Sequence, residues 1–443
     1  MVLHTRLQFT HCNRLTLFTT CGSLPVFAYD LYGTRQNKYK FLESNDIESI
    51  AWQQLNCHKP RYSFILDNSL HEVATEYNKE SFSLTDIFLK SSNGLETGKD
   101  ESLVTFCSKQ LKLVISDFLD SDVSNDELSK KYDIFDTSGW NFFKIRGQLL
   151  GQEINLQKIV KLYYRPFDFR FTYYDKFLRR MQESTLSHLL QDNIGLMCMR
   201  QVVMADSDYN HFGVTNYIID NRSFLSNKSR PSLFPLYRYP DTKNKKSKGI
   251  QGNIFLEKSS NLSPEFLEAI HKKLGYIPTP EEIFYYIYAI FHSPTYRNRY
   301  VEFLKIDFPR VPITSNQNLF QNLSEKGQAL VDLHLMKSKK LNKLITKMGG
   351  KGDNAVIGVT YKPIEKCIYI NKDQYFEGVE QEVWEFKIGG YQVLDKWLKD
   401  REKAKRNLSF DDILHYQKVV VALKETMEIM KEIDRIIPSF PIE

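Results

Sequence analysis

The sequence predicts a mixed α+β chain of more than one domain. Three observations predict it: a strand, charged helix, strand pattern at 24–66, short aromatic runs alternating with polar residues from Ile154 to Tyr217, and well-signed helices after Ser263. The 443 residues are 42% hydrophobic and 13% aromatic, with 30 Phe and 25 Tyr. That is roughly two to four domains' worth of chain with ample apolar side chain for a core. It excludes collagen-like and disordered chains. No stretch approaches ~18 consecutive apolar residues, so no membrane-spanning helix is expected.

In chain order, Leu24 to Tyr32 reads as a strand, Arg35 to Glu43 as a charged helix carrying Tyr39 and Phe41, and Tyr62 to Leu66 as a second strand. These strands are expected to complete a partial parallel sheet. Residues 103–132 read as helical, with Ser124 and Glu127 forming a capping box for the second piece. Alternation from Ile154 to Tyr217 suggests a sheet-rich module. The basic, proline-punctuated stretch Arg222 to Lys248 reads as exposed loop. Ser263-Pro264 opens a helix that Gly275 closes, and Thr279-Pro280-Glu281-Glu282 opens another, whose apolar run Ile283 to Phe291 marks it as buried. Ser293-Pro294 starts a third, and Val356 to Tyr361 against Cys367 to Ile370 resembles a hairpin. The last helix, capped by Ser409 and Asp412, carries Ile413, Tyr416, Val420, Leu423, Met427 and Met430 as a heptad-like seam. That seam packs either within the chain or against a partner.

Absences narrow the function. No two prolines are adjacent, so the Asn/Asp-Pro-Pro-aromatic loop that clamps a flipped base is missing. The sole G-x-G, Gly350 to Gly352, lacks the following helix of a dinucleotide fingerprint and reads as a turn. The six cysteines include no C-x-x-C, and reduced cytoplasmic thiols are the expectation. Leu15 to Ala28 is too interrupted by Thr19, Thr20, Gly22 and Ser23 for an export signal. No residues assemble as nucleophile, base and oxyanion donor, or as metal or cofactor ligands, so no catalytic, metal or cofactor residue is assigned.

Net charge is +6, which permits a polyanion partner. Lys161 to Arg180 carries six basic residues and two aspartates among eight aromatics, and Arg222 to Lys248 holds eight basic residues against Asp241 alone. Lysine and arginine suit phosphates, whereas arginine and glutamine suit base edges. The candidate DNA-binding residues are Arg165, Arg170, Arg200, Gln201, Arg222, Ser223, Lys228 and Arg230. Lys228 and Arg230 fit phosphates, and Arg170 and Gln201 fit bases. Equally open is a structural role in which Arg165 and Arg222 pair with Asp168 or Asp220.

Taken together, Val26-Phe-Ala-Tyr-Asp-Leu-Tyr-Gly-Thr-Arg35, Leu84-Thr-Asp-Ile-Phe88, Thr97-Gly-Lys-Asp100, Tyr164-Arg-Pro-Phe-Asp168 and Asn221-Arg-Ser223 form one ordered set. Thr279 to Phe291, Phe303 to Pro309 and Val383-Trp-Glu-Phe386 through Ile388-Gly-Gly-Tyr-Gln-Val393 to Asp400 continue it. This set resembles the C-terminal region of type ISP restriction-modification enzymes and their adenine-specific DNA methyltransferase relatives. The resemblance implies the remnant of an α/β methyltransferase sheet with connecting helices at 1–150, a sheet-containing target-recognition domain at 151–380 and a C-terminal helical segment at 381–443. It implies double-stranded DNA as partner, in an N6-adenine methyltransferase system for defence against phage. S-adenosylmethionine belongs to the complete family enzyme, and its glycines and the Pro-Pro loop are expected upstream of residue 1. No cofactor is expected in this chain, methyl transfer by it alone is not expected, and an upstream methyltransferase chain is the partner that would restore it. The competing functions are a stand-alone nuclease and a protein-interaction scaffold using the 413–430 seam.

Overall fold

The structure is a computed structural model that describes residues 2–5, 12–18, 26–32, 35–55, 68–79, 81–202, 209–226, 228–240 and 258–442. Two compact units make up the chain, 1–79 with 205–207, and 80–204 with 208–443.

In the first unit β1 (Val2–Thr5), β2 (Cys12–Phe18), β3 (Val26–Tyr32) and β4 (Gln53–Leu55) form one sheet in that order. Every pairing is antiparallel, which corrects the expected parallel arrangement. Helix α1 (Arg35–Ser44) follows β3, and the ring of Phe41 stacks on Tyr29 at 5.4 Å. A parallel neighbour needs the helix to be the return path. Here the Asp46 carboxylate accepts from the Glu48 and Ser49 amides at 3.0 and 2.8 Å, building a turn after the helix, and β4 runs against β3. The strand expected at Tyr62–Leu66 lies outside the described residues. Helix α2 (Asn68–Asn78) ends the unit.

The second unit opens with three short strands, β5 (Ser81–Ser83), β6 (Ser92–Asn93) and β7 (Val104–Thr105), then α3 (Ser108–Leu119) and α4 (Asn125–Tyr132). The Ser124 box forms as expected, its hydroxyl accepting from the Glu127 amide at 3.2 Å. Next come β8 (Ile159–Arg165), β9 (Asp168–Tyr173), β10 (Gly195–Met199), β11 (Phe212–Thr215), β12 (Ile218–Ile219) and β13 (Pro231–Pro235). They build two four-stranded sheets, β11-β10-β13-β6 and β12-β8-β9-β7. Strand β13 corrects part of the loop expected at 222–248. Its prolines sit at its two ends, where a missing amide costs little, and Ser232 and Leu233 between them pair on both sides. Residues 241–248 of that loop lie outside the described residues.

Helices α5 (Pro264–Leu274), α6 (Pro280–His292) and α7 (Pro294–Arg299) carry the expected caps and N1 prolines. Strand β14 (Arg310–Pro312) returns to pair with β5, and α8 (Gln317–His334) lies against α6. A Cβ on Gly327 would lie 1.8 Å from the Tyr285 carbonyl oxygen, so only glycine lets these two helices approach this closely. Gly327→Ala should therefore destabilise the protein by about 1–3 kcal/mol through overpacking, although alanine is the better helix former. The urea midpoint measures it, and an unchanged or higher midpoint would show that the helices can part freely.

A small sheet follows, in order β15 (Lys347–Gly349), β18 (Tyr375–Glu377), β17 (Cys367–Tyr369) and β16 (Thr360–Lys362). Helices α9 (Val393–Lys403) and α10 (Phe410–Ile436) close the chain. Tyr416, Val420 and Leu423 of the expected seam are buried, but Thr426, Ile429 and Ile433 continue the buried face rather than Met427 and Met430. A straight helix drifts off a seven-residue repeat by ~20° per heptad, and the burial follows the helix. That face lies on α6 and α8 of the same chain, the intrachain alternative for the seam. Compactness thus divides the chain after Lys79, while segments on either side of 150 and 380 share one core.

Candidate nucleic-acid interface

The β8–β9 hairpin turns at Pro166-Phe167, with Phe167 at φ 58°, a left-handed conformation that aromatic residues rarely adopt. Burial of its ring beside His334 and a 2.8 Å hydrogen bond from His415 Nε2 to its carbonyl oxygen hold it there. Along β9, Phe169 and Phe171 share one half-buried face while Asp168 and Arg170 point into the protein, the alternation a strand imposes.

That inward face carries charge. Arg170 Nε and Nη2 donate to Asp168 Oδ2 at 3.0 and 2.8 Å, and Nη2 also reaches Asp400 at 3.2 Å. Arg401 of α9 donates to Asp168 Oδ1 at 2.9 Å. The guanidinium of Arg170 lies over Tyr164 and Phe106, and that of Arg401 over Trp397 at 3.3 Å. Burial alone would raise the Asp168 carboxyl, but Arg401 and Arg170 overcome it and hold it at about 2. One turn away Arg165 Nη1 donates to Asp220 Oδ1 at 2.8 Å. Burial pushes Asp220 up to about 6 against the pull of Arg165, and its Oδ2 has no hydrogen-bond partner among the described residues. Burial disfavours the Arg165 cation, but Asp220, Tyr164 and Tyr391 together more than offset this, and its pKa is raised. Ser223 is fully buried, its hydroxyl donating to the Asp220 carbonyl at 2.5 Å. Arg165, Arg170 and Ser223 therefore sit inside a buried polar web rather than at a surface. Arg165 has the structural pairing weighed above. Arg222 does not: its backbone amide, not its side chain, binds Asp220.

The other candidates are accessible, and backbone pairing around Gly94–Glu96 gathers several of them. The Gly94 amide donates to Pro231, Leu95 exchanges hydrogen bonds with Ile219 and Asn221, and Glu96 bridges to Arg180 in both directions. A Cβ on Gly94 would meet the Asp220 carbonyl oxygen at 2.4 Å, so this junction closes only around glycine. As a result the Glu96 carboxylate receives Arg179 at 3.1 Å, Arg230 at 3.3 Å and Arg180 at 3.6 Å. Three guanidiniums on one carboxylate leave an excess of two positive charges. Arg222 is exposed beside this junction and makes no ion pair among the described residues. The Gln201 backbone carbonyl accepts from the Ser226 and Ser229 hydroxyls at 3.3 and 2.7 Å, which pins the loop carrying exposed Lys228, while the Gln201 side-chain amide donates to the Ile306 carbonyl at 3.3 Å. The Arg200 and Gln201 side chains stand apart from this junction, Arg200 paired with Asp307 at 3.1 Å beside the Ile306 carbonyl that Gln201 binds.

A family model for the Type ISP C-terminal specificity domain matches residues 86–432. The chain belongs to that family. No curated protein sequence matches it. The specificity domain also resembles solved structures. One is described as the ATP-dependent Type ISP restriction-modification enzyme LlaBIII bound to DNA, with TM-score 0.64, 18% identity, and coverage of 88% of this chain and 26% of that one. A DrdV–DNA complex gives TM-score 0.64 at 17% identity, covering 90% of this chain and 42% of that one. A nuclease-deletion mutant of the Type ISP enzyme LlaGI in complex with a DNA substrate mimic gives 0.61 at 17%, covering 93% and 32%. This chain thus spans about a quarter of the LlaBIII enzyme's length. At these identities the likeness concerns the fold.

Reading the sequence missed Arg179, Arg180 and Glu96 as members of the specificity domain's basic junction. The adjacent arginines closing the aromatic segment were the available signal, but their convergence on Glu96 depends on a bridge across more than eighty residues. Among the described residues no group of three or more His, Cys, Asp or Glu is placed to hold a metal ion, and no helix is long and apolar enough to cross a membrane. The junction's guanidiniums can exchange a carboxylate for phosphate oxygens, which arginine binds with the same bidentate geometry.

Proposed function

We propose that this specificity domain recognises double-stranded DNA as the target-reading part of a cytoplasmic restriction-modification system that methylates adenine N6. The observation that carries the reading is the arginine triad on Glu96, an accessible site with excess positive charge beside Arg222 and Lys228. Arg179, Arg180, Arg230, Arg222 and Lys228 hold phosphates, Arg200 flanks them, and Gln201 reads a base edge. Arg165, Arg170 and Ser223 keep the β8–β9 hairpin in place beneath them. Catalysis and S-adenosylmethionine belong to a methyltransferase part, either a longer polypeptide or an upstream chain. Residues 1–150 are the tail of that part with connecting helices, 151–380 the reading module and 381–443 its helical support.

Salt-titrated binding of the full chain to duplex DNA tests this. Lys228→Ala and Arg230→Ala should weaken binding to every sequence and each reduce the slope of log K against log salt by about 0.9. Gln201→Ala should relax preference at one base pair of a site selected from a random pool, at about 1–3 kcal/mol. Binding that neither depends on salt nor responds to these substitutions would overturn the assignment. The scaffold alternative loses its exposed seam, because α10 buries that face within the chain.

A further inference from the structure

A second concentration of positive charge lies in a place that the reading above leaves unused. Residues 337–373 contain nine lysines against Asp353, Glu365 and Asp373, an excess of six equal to the net charge of all 443 residues. All nine lysines are exposed. Lys340 pairs with Glu425 and Lys362 with Glu365, and the other seven make no ion pair among the described residues. Protection of sheet edges explains lysines on edge strands, and β15 and β16 are the edges here. It explains Lys347 and Lys362. It leaves the other seven, which lie outside the strands and of which only Lys340 makes an ion pair among the described residues.

The turn between β16 and β17 adds a second observation. Its apex, Pro363-Ile364, carries an isoleucine that is 99% exposed, the most exposed of the large hydrophobic side chains. The turn is well tied. The Lys366 amide donates to the Pro363 carbonyl at 3.2 Å, Tyr369 Oη donates to Glu365 at 2.6 Å, and Lys362 reaches the same carboxylate at 3.1 Å. Glu365 is thereby neutralised within the turn, and Lys362 and Lys366 flank the apolar tip. Beside it runs an open groove whose lining includes Lys347 and Lys366, the carboxylates Glu365 and Glu377, and the rings of Tyr369 and Tyr375. An apolar tip between cations is the arrangement with which proteins enter a DNA groove and unstack a base step while the cations hold the flanking phosphates.

We propose that this lysine lobe is a second contact face for duplex DNA, with Ile364 seated in a groove. The inference rests on the DNA-binding reading above and deepens it by placing a contact more than a hundred residues downstream of Lys228 and Arg230. The test uses the full chain and a fluorescent duplex carrying 2-aminopurine. The triple variant Lys343→Ala/Lys347→Ala/Lys366→Ala, at exposed positions that leave the unfolding midpoint unaltered, should lower the salt slope by about 0.9 per lysine. Ile364→Ser should keep the wild-type slope but bind several-fold more weakly and lose the 2-aminopurine enhancement that marks unstacking, and Ile364→Leu should retain both. A wild-type slope in the triple variant would overturn the lobe as a DNA face and point to an acidic protein partner instead. An unchanged 2-aminopurine signal in Ile364→Ser would overturn the seated tip. Failure of the unsubstituted chain to bind any duplex would instead remove the proposed function itself.

Discussion

Asp168→Ala is expected to lower the unfolding free energy by about 3–5 kcal/mol, because it leaves buried guanidiniums without their counterion. Asp168 is 1% exposed and is shared by Arg170 and Arg401, themselves 8% and 4% exposed. Arg170 would keep Asp400, but Arg401 has no second carboxylate among its hydrogen-bond partners. The same carboxylate ties β9 to α9, so its loss should also free the C-terminal helices from the hairpin. Urea unfolding followed by tryptophan fluorescence is suitable, since Trp397 lies against Arg401. Lys431→Ala, which removes an exposed pair with Glu428, serves as the control and should change little. A loss below about 1 kcal/mol for Asp168→Ala would show that the buried web does not hold the hairpin. The pH dependence has a definite sign. A carboxyl depressed from 3.8 to about 2 stabilises the fold fully above 3.8, and this contribution disappears as pH falls through 2. Asp168→Ala should therefore remove the part of acid unfolding in that window.

Arg165→Met should cost a similar amount at pH 8, about 3–5 kcal/mol, and distinctly less at pH 5. Here the group left behind is Asp220, 1% exposed and already pushed up to about 6 by burial. A carboxyl raised in the folded state holds its proton more tightly there than in the unfolded chain. Its favourable contribution is complete below 3.8 and declines as pH rises through 6. Without Arg165 the carboxyl rises further, so the decline extends to higher pH while acid relieves it. Denaturant midpoints of both proteins between pH 5 and 8 give the comparison. A penalty independent of pH would mean that lost packing on Tyr164, not the stranded carboxylate, sets the cost.

Much of the fold was legible because its signals are local. The caps at Ser124, Ser263, Thr279, Ser293 and Ser409 each involve residues within one helical turn, and all formed as read. The alternation along β9 obeys an equally local rule, since neighbouring residues on a strand must point to opposite faces. Strand β4 was not read at all, the expected second strand being Tyr62–Leu66, and its antiparallel course was not legible either, because a strand, helix, strand pattern leaves the return path open until the turn after the helix is known. Site residues divided in the same way. Reading charge and aromatic content located the segment Lys161 to Arg180 but could not separate Arg170, which is buried, from Arg179 and Arg180 at the end of the same run, which remain accessible.

By itself the sequence determined that the chain is α+β, where its capped helices start (though not α2, α8 or α9), and, through its ordered motifs, that it belongs with the Type ISP specificity domains. Tertiary structure decided which arginines are buried and which face solvent. The second arginine on Asp168 is Arg401, 233 residues from that aspartate, Arg170 also reaches Asp400, 230 residues away, and the carboxylate that gathers Arg179, Arg180 and Arg230 is Glu96. Burying a charge requires a counterion close enough to offset desolvation, and local sequence rules reach only about four residues along a helix or two along a strand. Which charge meets which counterion across two hundred residues is settled only when the sheets and helices pack.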